Sequence, residues 1–137
     1  MTSHVTETPT AAPDAALRHF DARLAFETDC WDVYDSLKSG NRDFVLLDVR
    51  GREAFERAHV PGAINVPHRT MTQERMEQLA GDSLFVVYCA GPHCNGANKA
   101  AVRLAKLGYR VKEMIGGVTG WQDEGFPFES SREPATA

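Results

Sequence analysis

"LFVVYCAGPHCNGANKAAVRLAKLGY", residues 84–109, contains three successive features that predict an α/β fold. It begins with the continuous apolar run LFVVY (84–88), which is typical of a strand buried on both faces of a sheet. The loop CAGPHCNG (89–96), which contains two glycines, follows this run. From about Gly96 to Leu107 the apolar residues recur on one helical face. The stretch therefore predicts a strand, a loop and a helix in succession.

Apolar runs and helical patterns alternate through most of the remaining chain. Further strands are predicted at LAFE (24–27), FVLLD (44–48), AIN (63–65) and VKEMI (111–115). Helices are predicted at 14–22, from the cap Asp29 through Lys38 before Gly40, around Glu53–Ala58, from the cap Thr72 through Ala80, and around Trp121. Alternating strands and helices indicate a parallel sheet with helices on both faces.

Length, charge and hydropathy restrict the class of protein. The 137 residues fit one domain, which we expect over 14–128, between a disordered N-terminal tail (1–13) and a flexible C-terminal tail (129–137). The net charge of −4 argues against a nucleic-acid or acidic-membrane partner. Residues 1–13 lack the basic start and the apolar core of a signal peptide, so we expect a cytoplasmic protein.

The three cysteines are better candidates for chemistry than for a disulfide framework, because an odd number in a chain without an export signal leaves a thiol unpaired. Cys89 ends a predicted strand, and sites in open α/β sheets form at the carboxyl ends of the strands. A loop that curls back there directs backbone N–H groups at the sulfur. We therefore expect Cys89 to be a nucleophile whose pKa lies below the free value of about 8.5.

Three separate stretches resemble the rhodanese-like sulfurtransferase family. "LLDVRGREAFERAHVPGAINVP" (46–67) is similar to the family's D-V-R, H-x-P-G-A and proline pattern. "VVYC" (86–89), followed by a loop and "KAAVRLAKLGY" (99–109), resembles its catalytic strand, loop and helix. "GGVTGW" (116–121) is similar to its closing G-G-x-x-x-W. The order of the three makes the resemblance much more specific than any one of them.

The resemblance implies a parallel sheet of about five strands in a single rhodanese-like domain. It implies a sulfurtransferase in which Cys89 takes a sulfane sulfur from a donor such as thiosulfate, becomes a persulfide, and passes the sulfur to a thiol or cyanide acceptor. A protein acceptor is a further candidate partner. No metal or organic cofactor is implied.

The loop departs from one family pattern. Members with a C-x-x-G-x-R loop have an arginine five residues after the cysteine, where this chain has Cys94, and its loop is about two residues longer. We expect Arg69, His93 or Lys99 to supply the missing cation for an anionic donor. The predicted substrate-binding residues are Ala90, Gly91, Pro92, His93, Cys94, Asn95, Gly96 and Arg69.

We also expect specific roles for the second loop cysteine and for several residues outside the loop. Cys94 is a resolving thiol, a second sulfur acceptor or an inert small residue, and Cys89 is expected to be the more acidic of the two. Asp48 and Arg50 are expected to be hydrogen-bonded scaffold beside the loop. Cys30 and His59 are interpreted as structural.

Three alternative functions remain at this point. A phosphatase or arsenate reductase of a related fold needs an arginine six residues after its cysteine, and this chain has Asn95 there. A zinc site at Cys89, His93 and Cys94 needs a remote fourth ligand such as His68. A non-catalytic binding or redox-sensing module using Cys89 and Cys94 is the main alternative, and purified protein that never carries sulfur would favour it.

Overall fold

The structure is a computed structural model, and it describes residues 1–80 and 83–131. Within these residues five parallel strands form one sheet in the order β1-β5-β4-β2-β3. The strands are β1 (Glu27–Thr28), β2 (Phe44–Asp48), β3 (Ile64–Asn65), β4 (Leu84–Tyr88) and β5 (Val111–Met114). The helices are α1 (Pro13–Phe26), α2 (Cys30–Ser39), α3 (Arg52–Arg57), α4 (Gln73–Ala80), α5 (Gly96–Lys106) and α6 (Gly117–Asp123), with a 3-10 turn at His68–Thr70. The predicted α/β class and strand number are confirmed.

The central strand β4 is buried on both sides, as its apolar sequence predicts. Phe85 and Val87 pack in a core with residues of α4 and α5, whereas Val86 and Tyr88 pack in a second core with residues of α2 and α6. Because side chains alternate along a strand, one apolar run contributes to both cores. The helices therefore cover both faces of the sheet.

The predicted helix boundaries are confirmed where a capping residue marks them. The carboxylate of Asp29 accepts a hydrogen bond of 2.9 Å from the Asp32 N–H, and Gly40 ends α2 in the left-handed region at φ 77°. Thr72 Oγ1 accepts a hydrogen bond of 3.2 Å from the Arg75 N–H at the start of α4. These local signals depend on neighbouring residues, which explains why they can be read from the sequence.

The strand predicted at 24–27 is wrong. Helix α1 continues to Phe26, and the edge strand β1 is Glu27–Thr28, which pairs with β5. Leu24 and Phe26 are exposed, and no residue of α1 is buried. The apolar residues of this segment therefore do not form a buried strand.

The structure describes all of the predicted N-terminal tail and the first residues of the predicted C-terminal tail. The N-terminal segment (1–13) contains a turn in which the Glu7 N–H donates to the Ser3 carbonyl, and α1 begins at Pro13. In the C-terminal one (129–137), Glu129 exchanges two backbone hydrogen bonds of 2.9 Å with His59. The pairing holds the start of this segment against the domain, and residues 132–137 lie outside the described residues.

Candidate active site

Cys89 follows β4 at the carboxyl edge of the sheet, and its backbone is fixed from two sides. The Val49 N–H donates to the Tyr88 carbonyl on the side of β2. The Val118 N–H donates to the Cys89 carbonyl at 3.1 Å from the first turn of α6. This contact is close because Gly117 has φ 56°, and a Cβ at that position would overlap the Cys89 carbonyl oxygen. The beginning of α6 therefore positions the cysteine, which the sequence reasoning missed.

The loop after Cys89 folds back over Gly96. The Cys94 N–H donates to the Gly91 carbonyl at 3.0 Å, and the Thr119 N–H and Oγ1 both donate to the Ala90 carbonyl, at 2.9 and 3.0 Å. A Cβ built on Gly96 would lie 2.8 Å from Cys89 Sγ and 3.5 Å from Cys94 Sγ. Because Gly96 at the start of α5 has no Cβ, both sulfur atoms can lie close to its backbone.

The same backbone groups act on both thiols. The N–H groups of Ala90 and Gly96 favour the thiolate form of Cys89 and of Cys94, and the interaction between the two thiols raises the pKa of Cys89 and lowers the pKa of Cys94. Within the described residues both cysteines are free thiols. The expected cluster of N–H groups is present, but two sulfur atoms share it.

The pKa shifts of the two thiols run in directions opposite to the predicted order of acidity. Burial, followed by the hydrogen bond to Cys94, raises the pKa of the Cys89 thiol to about 11. The hydrogen bond from Cys89, followed by the Gly96 N–H, lowers the pKa of Cys94, which is less buried and also feels the positive charge of Lys99. These shifts make Cys94 the more acidic thiol of the pair.

This order of acidity predicts which thiol is alkylated first. A lowered pKa keeps Cys94 partly ionised at a pH where an ordinary thiol is protonated, whereas the raised pKa of Cys89 keeps it protonated until the pH is higher. We expect a limiting amount of iodoacetamide at mildly acidic pH to label Cys94 before Cys89. Fragmentation of the single tryptic peptide that contains both residues locates the label. Initial labelling at Cys89 would contradict the order.

The remaining predicted loop residues lie around the two thiols. An open depression is lined by Ala90, Pro92, His93, Cys94, Asn95 and Asn98. Gly91 is buried instead, and a Cβ there would lie 2.6 Å from Thr119 Oγ1. The depression is wide enough at the surface for a small donor to approach Cys94, which is partly exposed.

Asp48 and Arg50 form a buried ion pair beneath the loop. Arg50 Nη2 lies 2.7 Å from Asp48 Oδ2, Arg50 Nε lies 3.0 Å from Oδ1, and the Arg50 N–H also donates to Oδ1 at 3.0 Å. Burial alone would lower the pKa of Arg50, but the hydrogen bond and charge of Asp48 outweigh it and raise the pKa. Ionised Cys89 also stabilises the guanidinium, so the cation lies within electrostatic reach of the thiol.

Tyr88 and Asn65 extend this network, and sequence reasoning did not single them out. The buried Tyr88 hydroxyl accepts a hydrogen bond of 3.1 Å from the Val60 N–H, and burial together with Asp48 raises the pKa of Tyr88. Asn65 Nδ2 donates to the carbonyls of Asp48 and Arg50 at 3.1 and 2.9 Å. A polar residue at the end of an apolar strand was the available signal for Tyr88.

Arg69 lies outside the loop depression. It lines a neighbouring basic groove, which we define by His68, Arg69, Lys99, Arg103 and Lys106. Burial, then the charges of Lys99, Arg69 and Arg103, lower the pKa of His68. Of the candidate cations, Lys99 connects the two regions, because its charge acts on both His68 and Cys94.

Residues 1–80 and 83–131 contain no group of three or more His, Cys, Asp or Glu side chains arranged to hold a metal ion. In the same part of the chain, no helix combines the length and the apolar character that crossing a membrane requires.

Comparison with known proteins identifies the family. The sequence pattern of the Rhodanese-like domain matches residues 32–124. The chain is 32% identical to a thiosulfate sulfurtransferase, GlpE, of Actinobacillus succinogenes over 72% of this chain and 86% of that protein. The crystal structure of the BH2092 protein from Bacillus halodurans superposes with a TM-score of 0.84 at 38% identity, covering 88% of each chain. The chain belongs to the rhodanese-like domain family.

Some relatives are much longer proteins. An HTH-type transcriptional regulator of Mycobacterium tuberculosis is 38% identical over 64% of this chain, which corresponds to 38% of the regulator. Within the family, sulfurtransferases are among the relatives of this chain. The same domain thus occurs alone and as part of larger proteins.

Proposed function

We propose that this protein is a sulfurtransferase that carries a sulfane sulfur on Cys89. One observation carries the proposal: Cys89 directly follows the central strand, and the backbone N–H groups of Ala90 and Gly96 favour its thiolate form. Such donors stabilise a thiolate and also the negative terminal sulfur of a persulfide. The family membership of residues 32–124 supports the same chemistry.

The reaction has two displacement steps. The Cys89 thiolate attacks the outer sulfur of thiosulfate, the sulfur–sulfur bond breaks, and sulfite leaves with the electron pair. A thiolate or cyanide acceptor then attacks the terminal sulfur of the persulfide and restores the Cys89 thiolate.

Intact mass measured without reductant tests this proposal. The protein used is Cys94→Ser, which keeps a single loop thiol. After treatment with thiosulfate and desalting it should gain about 32 Da, the mass of one sulfur atom, on Cys89, and cyanide should remove this sulfur as thiocyanate. A protein that never gains this mass with thiosulfate, a persulfide or a polysulfide would contradict sulfur transfer.

A binding or redox-sensing module is the second candidate, and the position of both loop thiols beside Gly96 favours it. Such a module would form a disulfide with an oxidant but would not pass sulfur to cyanide. The mass experiment with Cys94→Ser therefore separates the two functions, since a module that does not carry sulfur gains no mass from thiosulfate.

Lys99 is the cation that we expect to bind an anionic donor. The sequence alone favoured Arg69, but Lys99 lies in the first turn of α5, where its charge acts on Cys94. Lys99→Gln should raise KM for thiosulfate by about two- to five-fold, as expected for loss of an exposed charge contact, and change kcat little. Arg69→Gln should have a smaller effect.

Lys106→Gln is the matched control, because it removes the same charge at another position of the basic groove. Steady-state kinetics at low ionic strength measure all three variants. Equal effects of the three substitutions would indicate that the summed positive charge of the groove attracts the donor, with no special role for Lys99. An unchanged KM in Lys99→Gln would show that the donor binds elsewhere.

A further inference from the structure

The second thiol of the loop has a position that simple sulfur transfer does not need. Cys94 shares the space above Gly96 with Cys89, since a Cβ on Gly96 would lie 2.8 Å from Cys89 Sγ and 3.5 Å from Cys94 Sγ. It precedes α5 and lines the open depression, so it lies between the buried Cys89 and the surface. A persulfide formed on Cys89 would therefore form beside a second thiol.

Cys94 lies beside the inner sulfur of that persulfide. Cys89 Sγ becomes the inner sulfur when a sulfane sulfur is added, and it shares the space above Gly96 with Cys94 Sγ. Cys94 is also the more acidic thiol, so it is the available thiolate. A nucleophile held next to its target reacts as if at a very high local concentration.

We propose that Cys94 attacks the inner sulfur of the Cys89 persulfide, so that the loop releases hydrosulfide and becomes a Cys89–Cys94 disulfide. This inference rests on the proposed sulfur-carrying function and adds a thiol-dependent, sulfide-releasing activity to it. The substrates are then a sulfane-sulfur donor and a reducing thiol or dithiol.

The step balances without a further oxidant. The bond between Cys89 Sγ and Cys94 Sγ forms, the bond between Cys89 Sγ and the sulfane sulfur breaks, and the electron pair leaves on hydrosulfide. The sulfane sulfur is reduced by two electrons, and the two cysteines are oxidised by two. Two equivalents of an external thiol, or one dithiol, reduce the disulfide and become a disulfide themselves. With thiosulfate as donor, each cycle therefore yields sulfite, sulfide and one oxidised thiol pair.

Two features of the local structure favour the disulfide, whose Cβ atoms lie about 3.8 Å apart. Cys94 lies before the first residue of α5, so its movement breaks no hydrogen bond inside that helix. Gly96 has no Cβ to obstruct the approach of the two sulfur atoms.

A single-turnover experiment tests the inference with the full chain. Reduced protein is loaded with thiosulfate, freed of excess donor, and divided into samples for sulfide, free thiols and intact mass. Wild-type protein should release about one equivalent of sulfide without an added acceptor and lose two free thiols. Cys94→Ser should keep the added sulfur and release sulfide at least about ten-fold more slowly. The matched control Cys30→Ser, which removes a thiol outside the loop, should behave as wild type.

The outcomes separate this inference from the proposed function. Wild-type protein that keeps the added sulfur on Cys89 and forms no disulfide with Cys94 overturns the resolving role of Cys94. Sulfur transfer by Cys89 is unaffected by that result. Failure of both wild type and Cys94→Ser to gain sulfur or to release sulfide overturns both proposals. Circular dichroism of Cys94→Ser, measured beside these assays, identifies a folding defect, and Cys94→Ala then repeats the test.

Discussion

Cys89→Ser should reduce sulfur transfer from thiosulfate to cyanide to the background rate, a loss of at least about a thousand-fold. A serine hydroxyl fits at the end of β4 and can accept from the N–H groups of Ala90 and Gly96. It cannot form a persulfide, so the covalent intermediate is lost while the fold remains. Thiocyanate formation measures the activity, and thermal unfolding measures the fold.

The control for this substitution is Cys30→Ser. Cys30 is also buried, but it packs in the core on the other face of the sheet, and its thiol donates to the carbonyls of Ile115 and Gly117 at 3.6 and 3.7 Å. A hydroxyl can donate to the same two carbonyls, so we expect transfer to persist. Sulfur transfer that persists in Cys89→Ser would show that Cys89 is not the nucleophile, and the assay would then be repeated with Cys94→Ser.

Asp48→Asn should lower the free energy of unfolding by about 3–5 kcal/mol. The Asp48 side chain is 0% exposed, and the Arg50 side chain is 13% exposed. Removing the carboxylate charge leaves a buried guanidinium without its counter-ion, and one amide N–H₂ then faces the donors of Arg50. The cost arises because a charge that is neither solvated nor paired is expensive in the protein interior.

Asp14→Asn provides the same chemical change at the surface. Asp14 lies 3.8 Å from Arg18 with both side chains mostly exposed, so solvent screens the pair and we expect near wild-type stability. Urea unfolding of both variants, with comparable m-values, gives the two free energies. A loss below about 1 kcal/mol in Asp48→Asn would mean that the buried pair contributes little to stability.

The successful predictions depend on residues that are close in sequence. LFVVY (84–88) is apolar at successive positions because both faces of β4 are covered, and Gly40 ends α2 because its φ is 77°. The wrong strand at 24–27 has a related cause: Leu24 and Phe26 are apolar but exposed, and periodicity alone does not report burial.

The acidity of the loop thiols could not be predicted in the same way. The sequence shows that Cys89 and Cys94 are five positions apart, but the pKa of each depends on burial, on hydrogen bonds and on charge. The loop brings the two sulfur atoms to the same N–H groups, and the more buried one becomes the weaker acid. The missing cation is a similar case, because Arg69 and Lys99 are both positively charged in the sequence, and only the folded chain shows that the charge of Lys99 acts on Cys94.

The sequence by itself determined the α/β class, the family and the candidate nucleophile, because apolar periodicity, caps and short motifs are properties of neighbouring residues. Only the tertiary structure decided the strand order, the contact of α6 with the Cys89 carbonyl and the acidity of the thiol pair. These features depend on groups that are distant in the chain or on solvent exclusion. Hydrogen-bond and electrostatic energies depend on distance and burial, and the folded chain alone specifies both.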